Sequence, residues 1–200
     1  MSVQFPPSAA PRSAYPVDAL PTRVRRRLLE LARSGEPVSA YVYDGSVAAD
    51  RGRELRAALP PWAAVYYAVK ANSFPGVVRA LAPHVDGFEV ASAAELELAR
   101  SVRPSAVPVP VVAAGPGKSV PLLTALVRAG VEAVNAESLL EVRRISRIAV
   151  AEGTTARVAL RVNPAEIPVG GSLHMGGVPS QFGVAEPDVP EVLHEALRLP

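Results

Sequence analysis

The sequence predicts an α/β fold of parallel strands over residues 38–200. Three observations carry this expectation. Short apolar runs rich in Val, Ala and Tyr alternate strictly with helical patterns, and the connections between them are short. The side chains with chemistry to offer (Lys70 and Asn72, Glu89 and Ser92, Asn135 and Glu137, Arg161 and Asn163) fall at the C-terminal ends of the strand-like runs. That is the face on which barrels and open α/β sheets both build their sites.

Residues 1–37 stand apart as an N-terminal extension. Pro6, Pro7, Pro11 and Pro16 break the first twenty residues and Asp18 interrupts any apolar run, a pattern that predicts no secretory signal. A basic helix is expected over Arg23–Ala32, with Val24, Leu28, Leu29 and Leu31 near one side and the arginines as a solvated face. From residue 38 the strand candidates are Val38–Tyr43, Ala63–Val69, Gly87–Val90, Val107–Ala113, Val131–Asn135 and Arg157–Val162. Between and after them the helix candidates are Val47–Leu59, Pro75–Leu81, Ala93–Val102, Pro121–Ala129, Ser138–Ala151 and Val189–Leu197. In the segment 138–151, Leu139, Val142, Ile145 and Ile148 recur on one stripe while Arg143, Arg144 and Arg147 face elsewhere. Glu137 and Glu141 bring negative charge to its first turn, where the helix dipole favours it. Six βα units satisfy either a doubly wound sheet or a (β/α)8 barrel cut short, since a complete barrel needs eight strands.

Bulk properties narrow the function classes. A net charge of +2 on 200 residues asks for neither nucleic acid nor an anionic membrane. No apolar run approaches the ~18 residues of a membrane span. The absence of cysteine removes disulfides, thiolate metal sites and a cysteine nucleophile. His84, His174 and His194 are scattered without ligand spacing, so no metal site is expected. Of the 21 basic residues only Lys70 and Lys118 are lysine. A lysine at a strand end in so arginine-rich a chain invites a reason, and one is available: an ammonium can lose its proton and become a nucleophile, whereas a guanidinium cannot.

Five motifs carry side chains with candidate chemistry. Tyr67-Ala68-Val69-Lys70-Ala71-Asn72 places Lys70 at the mouth of a strand, either as an amine poised to attack an aldehyde or as a stem reaching for water. In Gly87-Phe88-Glu89-Val90-Ala91-Ser92-Ala93-Ala94-Glu95-Leu96, Ser92 and Glu95 form a capping box, while Glu89 lies within the apolar strand and needs a partner or a task. Arg161-Val162-Asn163-Pro164 ends a strand with an arginine whose structural role would be an ion pair, with Glu89 or Glu95 as partners. The segment Met175–Gly183 is either a phosphate-cradling loop or a turn. Gly115-Pro116-Gly117-Lys118-Ser119 echoes a P-loop, but the first glycine of that pattern is replaced by Val112, so the match fails.

The ordered set of Y-A-V-K-A-N, G-F-E-V-A-S-x-x-E-L, R-V-N-P and P-S-Q-F-G resembles the fold-type III, alanine-racemase-like decarboxylases that use pyridoxal 5'-phosphate (PLP). Diaminopimelate, ornithine and arginine decarboxylases belong to that family. The resemblance covers residues 38–200 and implies a (β/α)8 TIM-type barrel, of which about six βα units are present, without the family's C-terminal β-domain. It implies that Lys70 carries PLP as a Schiff base and that Glu89, Glu95 and Arg161 lie beside the cofactor, with glutamate at 89 where the family often has aspartate. It further implies a cytoplasmic homodimer at full length that decarboxylates an amino acid. The Met175–Gly183 segment is most similar to decarboxylases whose substrate is tethered to a carrier protein, and Gln181 stands where ornithine and diaminopimelate enzymes usually have lysine. The family's phosphate loop, stacking histidine, pyridinium-binding glutamate and catalytic cysteine fall after the sixth strand, so this chain alone is expected to be catalytically incomplete. The rival readings are a racemase or PLP-carrier protein on the same barrel, and a non-catalytic interaction fragment.

Overall fold

The computed structural model describes residues 20–35, 37–102, 109–166, 177 and 180–200. The chain divides at Gly45 into two units, Met1–Gly45 and Ser46–Pro200. In the first, helix α1 (Thr22–Ala32) forms as its pattern predicts, and none of its residues is buried. The expected strand Val38–Tyr43 does not form. Its valine and tyrosines suit a strand, but a strand exists only where a second backbone takes up its N–H and C=O groups, and this run has no ladder. Tyr41 and Tyr43 stack on each other instead, with ring centroids 6.3 Å apart.

The second unit alternates strand and helix. Helix α2 (Gly45–Ala58) leads to β1 (Tyr66–Ala68), α3 (Pro75–Leu81), β2 (Gly87–Val90), α4 (Ala93–Ser101), β3 (Val111–Ala113) and α5 (Val120–Arg128). It continues through β4 (Ala133–Ala136), α6 (Leu139–Ala151), β5 (Val158–Leu160), β6 (Val162–Asn163), β7 (Val184–Ala185) and α7 (Val189–Ala196). Each helix lies within a residue or two of its expected span. The expected strand Arg157–Val162 is interrupted at Arg161: its first half pairs with β4, and Val162–Asn163 pairs with β7. The strand Val184–Ala185 has no signature in the sequence, because two residues are too short to carry a periodicity.

Strand order decides between the two closures left open by the pattern. The five-stranded sheet runs β1-β2-β3-β4-β5, every pair parallel. A doubly wound sheet reverses direction at a switch point. Here each crossover steps the same way, which is the arrangement of a (β/α)8 barrel over the part present.

The pleat sorts the side chains. Phe88, Val90, Val111, Ala113, Val134 and Ala136 are buried beneath the helices. They meet Leu96 and Ala99 of α4, Leu123, Leu126 and Val127 of α5, and Val142, Ile145 and Ala149 of α6 in one apolar cluster. Val142 and Ile145 of the stripe read from the sequence are in this cluster, and Ile148 packs half-buried against it. The alternate residues Glu89, Val112 and Ala133 stand in register on the opposite face, with Asn135 and Ala159 one step further along. Close packing at the start of β2 requires glycine: a Cβ on Gly87 would lie 2.6 Å from the Pro110 carbonyl and against the Tyr66 ring. Among the described residues no helix is long and apolar enough to cross a membrane, and no group of three His, Cys, Asp or Glu side chains could hold a metal ion.

Candidate active site

Lys70 sits in a single 3-10 turn, Val69–Ala71, directly after β1. Three local contacts fix that turn. Val69 is fully buried. The Tyr67 hydroxyl donates to the Asn72 carbonyl at 3.1 Å, and Asn72 Oδ1 accepts from the Phe74 N–H at 3.0 Å. The asparagine side chain thus closes a turn of its own, and the lysine stem leaves a rigid base.

Lys70 Nζ donates to Glu89 Oε1 at 2.5 Å; the lysine side chain is about half exposed and the glutamate less so. Both line a cavity of about 350 Å³ with Ala114, Asn135, Leu160 and Arg161. The cavity therefore lies at the C-terminal ends of β1 to β5, on the face that the sequence marked out.

Arg161 does not pair with either carboxylate expected for it. Its Nη1 donates to Glu137 Oε1 at 3.1 Å, and its guanidinium lies 4.8 Å from the centroid of the Phe182 ring. Glu137 is the first residue after β4, and register, not sequence proximity, brings it beside Arg161. Its second oxygen, Oε2, accepts from the Gly183 N–H at 2.7 Å. From the sequence Glu137 is a strand-end residue of the site face and a helix-dipole residue; the structure adds two specific partners.

Glu95 is placed differently from the other three expected residues. Its Oε2 accepts from the Ala91 N–H at 2.7 Å, while Ser92 Oγ accepts from the Glu95 N–H at 3.2 Å. This is a capping box shifted by one residue, and it holds the β2–α4 junction from which Glu89 projects. Glu95 is not among the residues lining the cavity. The β4–α6 junction repeats the device with Ser138 and Glu141, where the Glu137 N–H donates to Glu141 Oε2 at 2.9 Å. Lys118 joins that second junction. Its Nζ donates to Glu141 Oε2 at 3.0 Å and to the Gly115 carbonyl at 2.7 Å, and both charged side chains are buried. The failed P-loop motif is thus the seat of a buried ion pair, for which the sequence offered no signal beyond the rarity of lysine.

The glycine-rich segment Met175–Gly183 lies partly outside the described residues. In its described end the Phe182 N–H donates to Ser180 Oγ and the Gly183 N–H to Glu137, so these amides already have partners within the chain.

The lining suits PLP. An amine that can bond an aldehyde, a carboxylate within proton-transfer distance of that amine, and a guanidinium for an anionic group meet in one small space. Comparison with known proteins agrees. Residues 48–199 match the family model described as pyridoxal-dependent decarboxylase, pyridoxal binding domain. The chain is 34% identical over 171 residues to 2-[(L-alanin-3-ylcarbamoyl)methyl]-2-hydroxybutanedioate decarboxylase of Staphylococcus aureus, covering 86% of this chain and 42% of that protein. It is 38% identical over 146 residues to L-glutamyl-[BtrI acyl-carrier protein] decarboxylase of Niallia circulans, covering 73% and 34%. The crystal structure of diaminopimelate decarboxylase from M. jannaschii in complex with L-lysine superposes with a TM-score of 0.70 at 27% identity, covering 86% of this chain and 42% of that one. The chain thus spans less than half the length of the relatives it matches. Motif order, sheet order and similarity agree that the chain belongs to the pyridoxal-dependent decarboxylase family.

Proposed function

We propose that this chain supplies the lysine-bearing face of an enzyme that removes the α-carboxylate of an amino acid or amino-acyl substrate with PLP. The observation that carries the reading is the convergence of Lys70, Glu89 and Arg161 on one cavity at the strand ends. Lys70 is the amine that holds the cofactor covalently. To bond a carbonyl carbon it must first lose a proton, and Glu89 Oε1, 2.5 Å away, is placed to accept it. Arg161 offers its charge to an anionic group of cofactor or substrate, while Glu95 acts through the junction that supports Glu89. PLP, when bound, supplies the electron sink for bond cleavage beside the substrate nitrogen.

The relatives' names give the substrate as a free small molecule in one case and a carrier-protein-bound glutamyl group in another. An amino-acyl group tethered to a carrier protein is therefore within the reading. The full-length protein is taken as a cytoplasmic homodimer, as the family resemblance implies.

The test is chemical trapping. The protein is incubated with PLP, reduced with borohydride and mapped by mass spectrometry. With only two lysines in the chain the map is simple. A pyridoxyl adduct on Lys70 that disappears in Lys70→Ala is expected. An adduct on Lys118, or none on the full reading frame, would overturn the assignment. Release of carbon dioxide rather than racemised product from candidate amino acids then distinguishes a decarboxylase from a racemase.

A further inference from the structure

Glu137 is charged, nearly buried and not part of the cavity lining, yet both its oxygens are engaged at the edge of the site. Oε1 holds the Arg161 guanidinium and Oε2 holds the Gly183 N–H. Arg161 also holds both chain neighbours of Gly183. The guanidinium lies over the Phe182 ring, and the Val184 N–H donates to the Arg161 carbonyl at 2.8 Å. Gly183 is bound so closely that a Cβ there would lie 2.8 Å from the Arg161 carbonyl oxygen and 2.9 Å from the Asn163 nitrogen. Its φ of +76° also disfavours residues with a side chain.

Glu137 is in turn anchored from below. Its own N–H donates to Glu141 Oε2, which Lys118 neutralises. Lys118 and Arg161 therefore flank the two carboxylates of Glu141 and Glu137, one cation at the buried floor and one at the cavity wall.

We infer that Glu137 is a positioning residue that locks Arg161 and the Phe182–Gly183 turn into one unit at the wall of the site. Arg161 then presents its charge to the cavity only while the turn is docked, and the turn docks only while Arg161 is held. The inference deepens the proposed cofactor site but depends on PLP in only one arm of its test.

The first arm needs no cofactor. Chymotrypsin cleavage of the Phe182–Gly183 bond is followed by mass spectrometry in the whole chain. When opening is fast relative to cleavage, the rate reports the open population. Glu137→Gln keeps an acceptor for the Gly183 N–H but removes the charge opposite Arg161; Arg161→Gln removes the charge from the other side. Each is expected to raise cleavage at this bond by about ten-fold, the scale of one charge-assisted hydrogen bond, and the double variant by no more than either single change. Unchanged cleavage in Glu137→Gln, equal acceleration at every other cleavage site, or fully multiplicative effects would each overturn the inference.

The second arm uses PLP as the probe. PLP is expected to slow cleavage at Phe182 in the wild type and not in Glu137→Gln; equal protection in both would overturn the inference. If the wild type takes up no PLP, the proposed function fails while the first arm still decides the role of Glu137.

Discussion

Replacing Lys118 by methionine tests the buried charge network directly. The side chains of Lys118 and Glu141 are 2% and 8% exposed, and Nζ and Oε2 are 3.0 Å apart. At an effective dielectric of about 20, two unit charges at that distance attract by about 5 kcal/mol, and the cost of desolvating both offsets part of it. Removing one partner of a buried pair leaves the other charge uncompensated, at about 3–5 kcal/mol. Glu141 keeps its hydrogen bond from the Glu137 N–H. The lower end, about 3 kcal/mol, is therefore expected for Lys118→Met. Adding Glu141→Gln removes the stranded charge while keeping an acceptor for that N–H. The double variant should then recover at least about 1 kcal/mol relative to the sum of the single changes. The exposed pair Arg51–Glu54, with side chains 78% and 62% accessible, is the control, and removing either partner should cost below about 1 kcal/mol. Urea unfolding followed by far-UV circular dichroism measures all of these. A Lys118→Met cost below about 1 kcal/mol, or strict additivity with Glu141→Gln, would refute the claim that this pair is held out of water.

Three further outcomes are expected. Gly87→Ala should destabilise by about 1–3 kcal/mol in urea, because the added methyl meets the Pro110 carbonyl and the Tyr66 ring at the start of β2; a neutral result would mean that these neighbours yield freely. Phe88→Ala should cost about 3–5 kcal/mol, since the ring is fully buried at the centre of the apolar cluster, and thermal unfolding of the variant checks it. Burial first, and then its hydrogen bond to Glu132, push the Tyr66 phenol up to about 12. The folded state holds that proton more tightly than the unfolded chain, so this contribution to stability is complete below pH 10 and is lost as the pH rises through about 12. Burial also raises the Tyr67 phenol, so an ultraviolet absorbance titration should show a late-titrating fraction that shrinks in Tyr66→Phe, and an unchanged curve would count against the assignment.

Much of the architecture was legible because it rests on periodicity. The burial of Phe88 and Val90 against the helices, with Glu89 on the other face, follows from the two-residue repeat of a strand. Lys70 was legible as a strand-end amine in an arginine-rich chain. Glu137 was legible as a residue of the site face but its partners were not, because they are Arg161 and Gly183, 24 and 46 residues away. A local reading sees its place at a strand end and before a helix, not the groups that it holds. Lys118 was obscured for a similar reason: its partner stands at the next βα junction. Val38–Tyr43 had the composition of a strand without a neighbour to make it one. Val184–Ala185 had the neighbour without the length.

The strictly sequential strand order also bears on how the chain folds. Tyr66 pairs with Gly87 and Val134 with Val158, so each rung of the sheet closes a loop of only one βα unit. Loop-closure entropy is modest at that length, so no rung has to wait for a distant part of the chain. Such a sheet can lengthen one unit at a time as the chain leaves the ribosome, without waiting for its far end. The Glu137–Gly183 link is different: it spans 46 residues and requires β4, β5 and β6 to be in place first. Pulse-labelled hydrogen exchange should therefore protect the Phe88 amide before that of Gly183, and simultaneous protection would contradict this order. The wall of the site then sets after the five-stranded sheet, on a scaffold already formed.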